Sequence, residues 1–167
     1  MHIHRFWGPW LASGLMLSGC GGGSAPATPN PPPSVSCSLN WAWSNPVGQS
    51  GNELRPFADV TWDNQSCTIT TATEASMTVC IQHPAPAELS LLLTRPDQIS
   101  VPLPALAQAQ NSGTCRDGSP YTYLLTPASL PGSQFTGRWS LRVTDTTPSN
   151  NQSGFLIGWS LVLQGRP

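Results

Sequence analysis

Apolar and polar residues alternate along two stretches in the last third of the chain, at 137–145 and 154–163. Each stretch places a tryptophan at an apolar position, Trp139 in the first and Trp159 in the second. A period of two puts these side chains on one face of an extended strand, and the polar residues 146–153 between the stretches indicate a turn. The pattern therefore predicts two paired strands that close a sheet as a hairpin with one buried face.

Shorter stretches with the same alternation occur earlier in the chain and are separated by segments rich in Pro, Gly and Asn. They lie at 38–43, 58–62, 68–71, 77–81, 89–93 and 121–125. No stretch has a helical period with caps, and the alanine-containing segment 103–110 predicts at most one or two helical turns. Short strands at this spacing predict an all-β fold, a sandwich of two sheets.

The N-terminus has the features of an export signal. Arg5 precedes an apolar stretch at 6–17, which is too short to span a bilayer, and small residues follow it. The segment Leu-Ser-Gly-Cys at 17–20 resembles the lipobox of bacterial lipoproteins, in which the cysteine is acylated and becomes the first mature residue. We therefore expect residues 1–19 to be a signal peptide and Cys20 to carry lipid, the alternative being a leftover cysteine in an ordinary signal. Gly21, in place of a retaining aspartate, favours the outer membrane.

Composition divides the remainder into a tether and one domain. Residues 20–34 are rich in glycine and then proline without periodic apolar positions, which predicts a disordered spacer. Residues 35–167 have the size of a single domain. Charged residues make up 9% of the chain and lysine is absent, and without Arg5 six arginines oppose eight acidic residues. Such a composition argues against nucleic-acid binding.

Four cysteines remain in the domain, which predicts two disulfides with three alternative connectivities: Cys37, Cys67, Cys80 and Cys115. The segments around Cys67 and Cys80 could form a hairpin through 71–75, and the choice of connectivity is argued on that condition. Cys67 shares a face with Ile69, whereas Cys80 points away from the face of Val79 and Ile81, so a direct bond between the two would place Ile69 opposite a polar face. This favours Cys37–Cys67 and Cys80–Cys115. Zinc binding is the alternative, but no Cys-x-x-Cys pair exists and only one histidine follows the signal.

Two segments extend the pattern toward a known family. Residues 79–83 read Val-Cys-Ile-Gln-His, and residues 88–97 read Glu-Leu-Ser-Leu-Leu-Leu-Thr-Arg-Pro-Asp. Together with the final tryptophan-bearing stretches, they resemble the P domain (P/Homo B domain) of subtilisin-like proprotein convertases over residues 67–164. Ala87 replaces a usual glycine, and Asp97-Gln98 replaces a usual Gly-Thr. The resemblance implies a jelly-roll β-sandwich, like galactose-binding domains, which packs on a protease domain and supports its folding without doing chemistry.

His83 is the residue on which an enzymatic interpretation would depend, as part of a dyad with a serine. No Gly-x-Ser-x-Gly elbow exists in the chain, and a subtilisin-like triad needs a large α/β scaffold. We therefore expect a strand-end histidine with a local hydrogen bond, and no enzyme.

Calcium is a candidate cofactor because the resemblance implies that some members bind it through acidic residues near strand ends. The candidate ligands are Asp145, Asn150 and Asn151 in one turn, with Glu88 and Asp97 nearby. Calcium takes six to eight oxygens, including several carboxylates, and this turn supplies one. Since Asp and Asn also favour turns for backbone reasons, a purely structural role is preferred.

Trp41 and Trp43 share a face of the first predicted strand, which indicates either part of the core or a platform for stacking on sugars. Three classes of function follow: a tethered non-catalytic module that binds or stabilises an envelope or exported protein, a carbohydrate-binding lipoprotein that would bind polysaccharide, and an enzyme. We expect the first. Exposure of the two tryptophans in a groove would favour the second.

Overall fold

The computed structural model describes residues 33–42, 53–54, 56–113, 115–116, 118–148 and 154–167. Within these residues the regular structure is eight strands and three short 3-10 turns, so the all-β prediction is confirmed. The strands are β1 (Val35–Ala42), β2 (Phe57–Asn64), β3 (Thr71–Gln82), β4 (Leu89–Thr94), β5 (Ser100–Pro102), β6 (Ser119–Leu125), β7 (Gly137–Asp145) and β8 (Phe155–Arg166). The segment 103–110 contains a single 3-10 turn, Leu106–Gln108, as its weak helical pattern predicted.

The strands form two antiparallel sheets with the strand order of a jelly roll. The first sheet has the order β1-β8-β3-β6 and the second β2-β7-β4-β5. Alternate residues of both sheets point into one apolar core, in which Trp139, Leu141, Met77 and Leu161 are completely buried. The predicted sandwich is therefore confirmed, and its two edges are formed by β1 with β2 and by β5 with β6.

The predicted closing hairpin is wrong, because β7 and β8 belong to different sheets. β7 pairs with β2 and β4, whereas β8 pairs with β1 and β3. Trp139 and Trp159 both point into the core, but from opposite sides. An alternating pattern shows that a strand has one buried face and does not identify its hydrogen-bonded partner.

The hairpin through 71–75 that served as a condition of the parity argument does not form. Residues 71–82 form one continuous strand, β3, and Cys67 lies in the irregular segment that precedes it. Face parity nevertheless favoured the right connectivity, since the bonds are Cys37–Cys67 and Cys80–Cys115, with Cα atoms 5.5 and 5.6 Å apart. The first bond joins an edge strand of the first sheet to the segment that follows β2 in the second.

A β-bulge in β8 explains an irregular spacing in the sequence. Cys80 pairs with Gly158 while its neighbour Ile81 pairs with Leu156, so Ile157 is an extra residue without a partner on β3. The extra residue shifts the alternation by one position. Leu156 and Trp159, which are three residues apart, are therefore both buried.

The sandwich has two ends, named here for the residues that follow its central strands. At the His83 end, the end of β3 lies beside the start of β8, and the start of β4 pairs with Asp145 at the end of β7. At the Arg95 end, β4 finishes beside the start of β7. No helix in the described part is long and apolar enough to cross a membrane. The predicted signal, Cys20 and the tether up to residue 32 lie outside the described residues, as do Trp43, Asn150 and Asn151.

Candidate functional site

A histidine and an aspartate meet inside the His83 end. His83 follows the last residue of β3 and Asp145 ends β7, so the two come from opposite sheets. Both side chains are fully buried, with His83 Nε2 3.6 Å from Asp145 Oδ2. The backbone N–H of Ala85 donates to His83 Nδ1 at 3.1 Å, which is the local hydrogen bond expected of a strand-end histidine.

This hydrogen bond determines what the pair can do chemically. Because Nδ1 accepts a hydrogen bond from the Ala85 N–H, the neutral tautomer compatible with this contact has its proton on Nε2, which faces Asp145. A nitrogen that carries a proton has no lone pair for a metal. Asp145 Oδ1 accepts the N–H of Thr147 at 2.9 Å, which holds the carboxylate in a local turn. The facing atoms His83 Nε2 and Asp145 Oδ2 make no hydrogen bond at 3.6 Å, so the pair is a buried polar contact between the two sheets.

Gly154 gives the histidine ring its space. A Cβ atom at this position would overlap the His83 ring and the carbonyl oxygen of Gln82. The chain thus enters β8 directly against the ring, and only a glycine fits there without a shift.

Of the predicted calcium ligands the structure describes Glu88, Asp97 and Asp145, and it does not bring these three together. Glu88 and Asp145 share the His83 end, where the carbonyl oxygen of Glu88 accepts hydrogen bonds from the N–H and Oγ1 of Thr146. Asp97 lies at the other end of β4, about 20 Å away for six strand residues. Among the described residues no group of three or more His, Cys, Asp or Glu side chains could hold a metal.

Asp97 instead belongs to a cluster at the Arg95 end that sequence reasoning missed. Arg95 is completely buried, and its Nη2 lies 2.7 Å from Asp97 Oδ2. Its guanidinium lies over the ring of Phe135, 5.3 Å from the centroid. Gly132, with φ of 109°, brings backbone so close that a Cβ there would be 2.7 Å from Nη2. The sequence feature that could have indicated this cluster is an arginine directly after the apolar strand β4. If such an arginine is buried, its charge needs a partner.

The outer face of the second sheet carries a second group that the sequence did not reveal, here called the Phe57–Arg142 patch and made of Phe57, Asp59 and Arg142. Arg142 donates from Nε and Nη2 to Asp59 Oδ2 at 3.1 and 2.7 Å. Its guanidinium also lies 4.8 Å from the centroid of the Phe57 ring. Phe57 is 45% exposed and the Arg142 side chain 49%. An aromatic residue at an outward strand position is the signal that could have indicated it.

The tryptophans of the predicted sugar platform are only partly described. Trp41 is half-buried, packs against the core and pairs in register with Trp159. Trp62 occupies an inward position on the edge strand β2, opposite Trp139, and is 39% exposed. Trp41 and Trp62 lie on edge strands of different sheets, and the platform predicted from Trp41 and Trp43 stays a prediction because Trp43 is outside the described residues.

Comparisons with known proteins agree with this fold. The family model described as the proprotein convertase P-domain matches residues 72–163, slightly more than half of the chain. A serine protease of Aeromonas sobria has a similar structure, with a TM-score of 0.59 and 20% sequence identity over 81% of this chain. The structure of the same protease in complex with the chaperone ORF2 is similar too, with a TM-score of 0.60 and 19% sequence identity over 81% of this chain.

The match extends over only part of those proteases. The chain covers 28% of each protease chain, and at this identity the similarity establishes the fold alone. No curated protein sequence matches the chain.

Proposed function

The chain belongs to the proprotein convertase P-domain family, and from this premise we propose that it is a lipid-anchored, non-catalytic module of the bacterial cell envelope that binds and stabilises an exported serine protease. The similar fold in the Aeromonas sobria protein forms little more than a quarter of a serine protease chain. In the Aeromonas protein this fold is part of the protease chain itself. Here the domain is proposed to bind a protease that is a separate chain.

The buried His83–Asp145 pair supports a non-catalytic role. A hydrolytic histidine must contact both its nucleophile and the substrate. In this chain the ring is fully buried, and its two nitrogens face the Ala85 N–H and the Asp145 carboxylate. Neither nitrogen is in a position to take a proton from a bound peptide.

The observation that carries partner binding is the Phe57–Arg142 patch. Arginine and aromatic residues dominate the energy of protein interfaces because they bury large areas and make directional contacts. Here the arginine is held in place by Asp59 and by the Phe57 ring before any partner arrives. Less side-chain entropy is then lost on binding, which leaves more of the contact energy for affinity.

Anchoring through Cys20 is part of the same proposal and is supported by the lipobox-like sequence. The segment 20–34 that follows would span at most about 50 Å when extended, enough for the domain to reach a protease near the membrane surface. We place the anchor in the outer membrane where the cell has one. Incorporation of radiolabelled palmitate into the wild-type chain and its loss in Cys20→Ser tests this part separately.

The test of partner binding is capture from envelope extracts with the full-length chain, followed by mass spectrometry. The proposal expects an exported serine protease to be recovered, and its recovery to fall at least tenfold with Arg142→Ser or Phe57→Ser. Arg138→Ser is the matched control, since Arg138 lies on the same outer face of β7 and is outside the patch. An equal loss of protease recovery with Arg138→Ser would show a general charge effect and contradict the role of the patch in binding.

Two further readouts separate the alternatives. Recovery of polysaccharide in place of a protease would support the carbohydrate-binding function. Cleavage of a peptide substrate by the purified wild-type chain, with loss of that activity in His83→Ala, would contradict the non-catalytic role.

A further inference from the structure

The strand β6 forms one edge of the first sheet, and its backbone is paired along only part of its length. Thr122 exchanges two backbone hydrogen bonds with Gln110, both 2.8 Å long, on the side away from β3. Backbone directions alternate along a strand, so Leu124, two residues further, also points its N–H and C=O outward. Beyond Gln110 the facing segment turns away into the 3-10 turn Leu106–Gln108. The outward groups of Leu124 have no backbone partner in the described part of the chain.

The side chain of Leu124 is the most exposed large apolar group among the described residues, at 70%. It projects from the outer face of the first sheet, beside Ser76 of β3 and one strand away from Val162 of β8. Most outward neighbours in this sheet are serine, threonine or another uncharged residue. An exposed leucine next to unpaired edge backbone is a feature that sheets usually avoid, because it invites pairing with another chain.

Two spaces flank this edge, one on each side of the sheet. The outer groove has a volume of about 460 Å³ and is lined by residues including Ala75, Leu124, Pro127 and Val162. The edge cavity, of about 330 Å³, lies toward β5 and is lined by residues including Val101, Gln108, Gln110 and Tyr123. Successive side chains of a strand point to opposite faces. A strand added at Leu124 would therefore place alternate side chains in the outer groove and in the edge cavity.

We propose that the Leu124 edge of β6 binds an extended peptide of a partner protein by β-strand addition, and that this peptide carries a lysine or arginine at one outward position. Main-chain bonds to Leu124 supply register, the edge cavity selects apolar side chains at alternate positions, and the outer groove takes the polar or basic side chains between them. This site lies on the opposite sheet from the Phe57–Arg142 patch. Loss of binding at one of these two sites is therefore expected to leave binding at the other unchanged.

The expected positive charge follows from Glu74, the one charged side chain among the described residues that line either space. The Glu74 side chain is exposed and makes no hydrogen bond or ion pair within the described part of the chain. An added strand would lie two strand spacings from β3, about 10 Å, which favours a long side chain such as Lys or Arg. Such a pair would favour peptides with a basic residue over otherwise identical acidic ones.

The test uses the full-length chain and a fluorescein-labelled synthetic peptide, Val-Thr-Val-Arg-Val-Thr-Val, in a binding titration. The proposal expects saturable binding that weakens about tenfold in Leu124→Pro, because proline removes the outward N–H while leaving the bonds to β3 in place. Leu124→Ala retains the N–H and is expected to weaken binding less. Glu74→Gln is expected to weaken it about threefold, and a peptide with Glu in place of Arg by more.

Hydrogen exchange of backbone amides in the wild-type chain provides a measurement that does not depend on whether a variant folds correctly. Bound peptide should slow hydrogen exchange of the Leu124 amide in the wild-type chain, and Arg142→Ser should leave this protection unchanged. Absence of binding to the wild-type chain, an unprotected Leu124 amide in the complex, or equal affinity for Leu124→Pro would overturn the proposal.

Discussion

Replacing Asp97 with alanine tests how the Arg95 end of the sandwich is held together. Asp97 Oδ2 lies 2.7 Å from Arg95 Nη2, and its Oδ1 accepts the N–H of Ile99 at 3.2 Å. Arg95 is completely buried, and its Nε and Nη1 have no hydrogen-bond partner among the described residues. Asp97→Ala would therefore leave a cation in the protein interior without a countercharge.

The size of the effect can be bounded from these contacts. Removing one partner of a buried ion pair costs about 3 to 5 kcal/mol, since the other charge stays buried and uncompensated. The Asp97 side chain is 20% exposed, so solvent already screens part of the pair. The Phe135 ring also continues to attract the guanidinium. Both facts favour the lower limit, and we expect a loss of about 3 kcal/mol.

A second variant separates charge burial from simple loss of contacts. Arg95→Met combined with Asp97→Ala removes both charges, and we expect it to recover all but about 1 kcal/mol, the value of the lost bond to Ile99. The assay is urea unfolding of the full chain, followed by tryptophan fluorescence and circular dichroism. A loss below about 1 kcal/mol in Asp97→Ala, or a double variant no more stable than the single one, would show that the buried charge of Arg95 does not depend on Asp97.

The same experiment decides between two roles for Asp97. If this carboxylate binds Arg95 only, chelation of calcium with EDTA leaves the unfolding curve of the wild-type chain unchanged. If EDTA lowers the stability of the wild-type chain but not that of Asp97→Ala, Asp97 is a calcium ligand, and its contact with Arg95 is not what holds this end together.

Three further predictions concern stability of the full chain in urea. Burial, and after it the charge of Tyr121, raises the pKa of Tyr123 from 10.0 to about 12. Stability that is fully present below pH 10 should fall by roughly 2 to 3 kcal/mol as the pH rises to 12, and Tyr123→Phe should lack this loss. Replacing both cysteines of either disulfide with serine should cost about 3 to 4 kcal/mol for loops of 30 and 35 residues, and a loss under about 1 kcal/mol would contradict the chain-entropy account. Gly154→Ala should cost about 1 to 3 kcal/mol, and His83→Ala in the same chain should relieve part of that cost if the overlap with the ring is the cause.

Local periodicity was sufficient to predict most of the strands. β1, β2, β3, β4, β6, β7 and β8 each contain a stretch whose alternation indicates one buried face. The strand β5 has only three residues, Ser100–Pro102, which is too short for a period to be visible. Pairing could not be predicted in the same way, because the alternation in β7 and β8 is equally compatible with one sheet or with two facing sheets.

The candidate sites depend on contacts that are distant in sequence. Asp59 and Arg142 are 83 residues apart, and only the antiparallel pairing of β2 with β7 places them side by side. The Leu124 edge likewise depends on where the segment before Gln110 turns away from β6. Chemistry within a turn was easier to anticipate, as the local hydrogen bond at His83 illustrates.

The most direct test of the proposed partner is photo-cross-linking in intact cells. A benzophenone amino acid replaces Phe57 in the patch, and in a control chain it replaces Thr61, which also points outward on β2. The account predicts an adduct with an exported serine protease from position 57 and little or none from position 61. No protein adduct, or equal adducts from both positions, would contradict it.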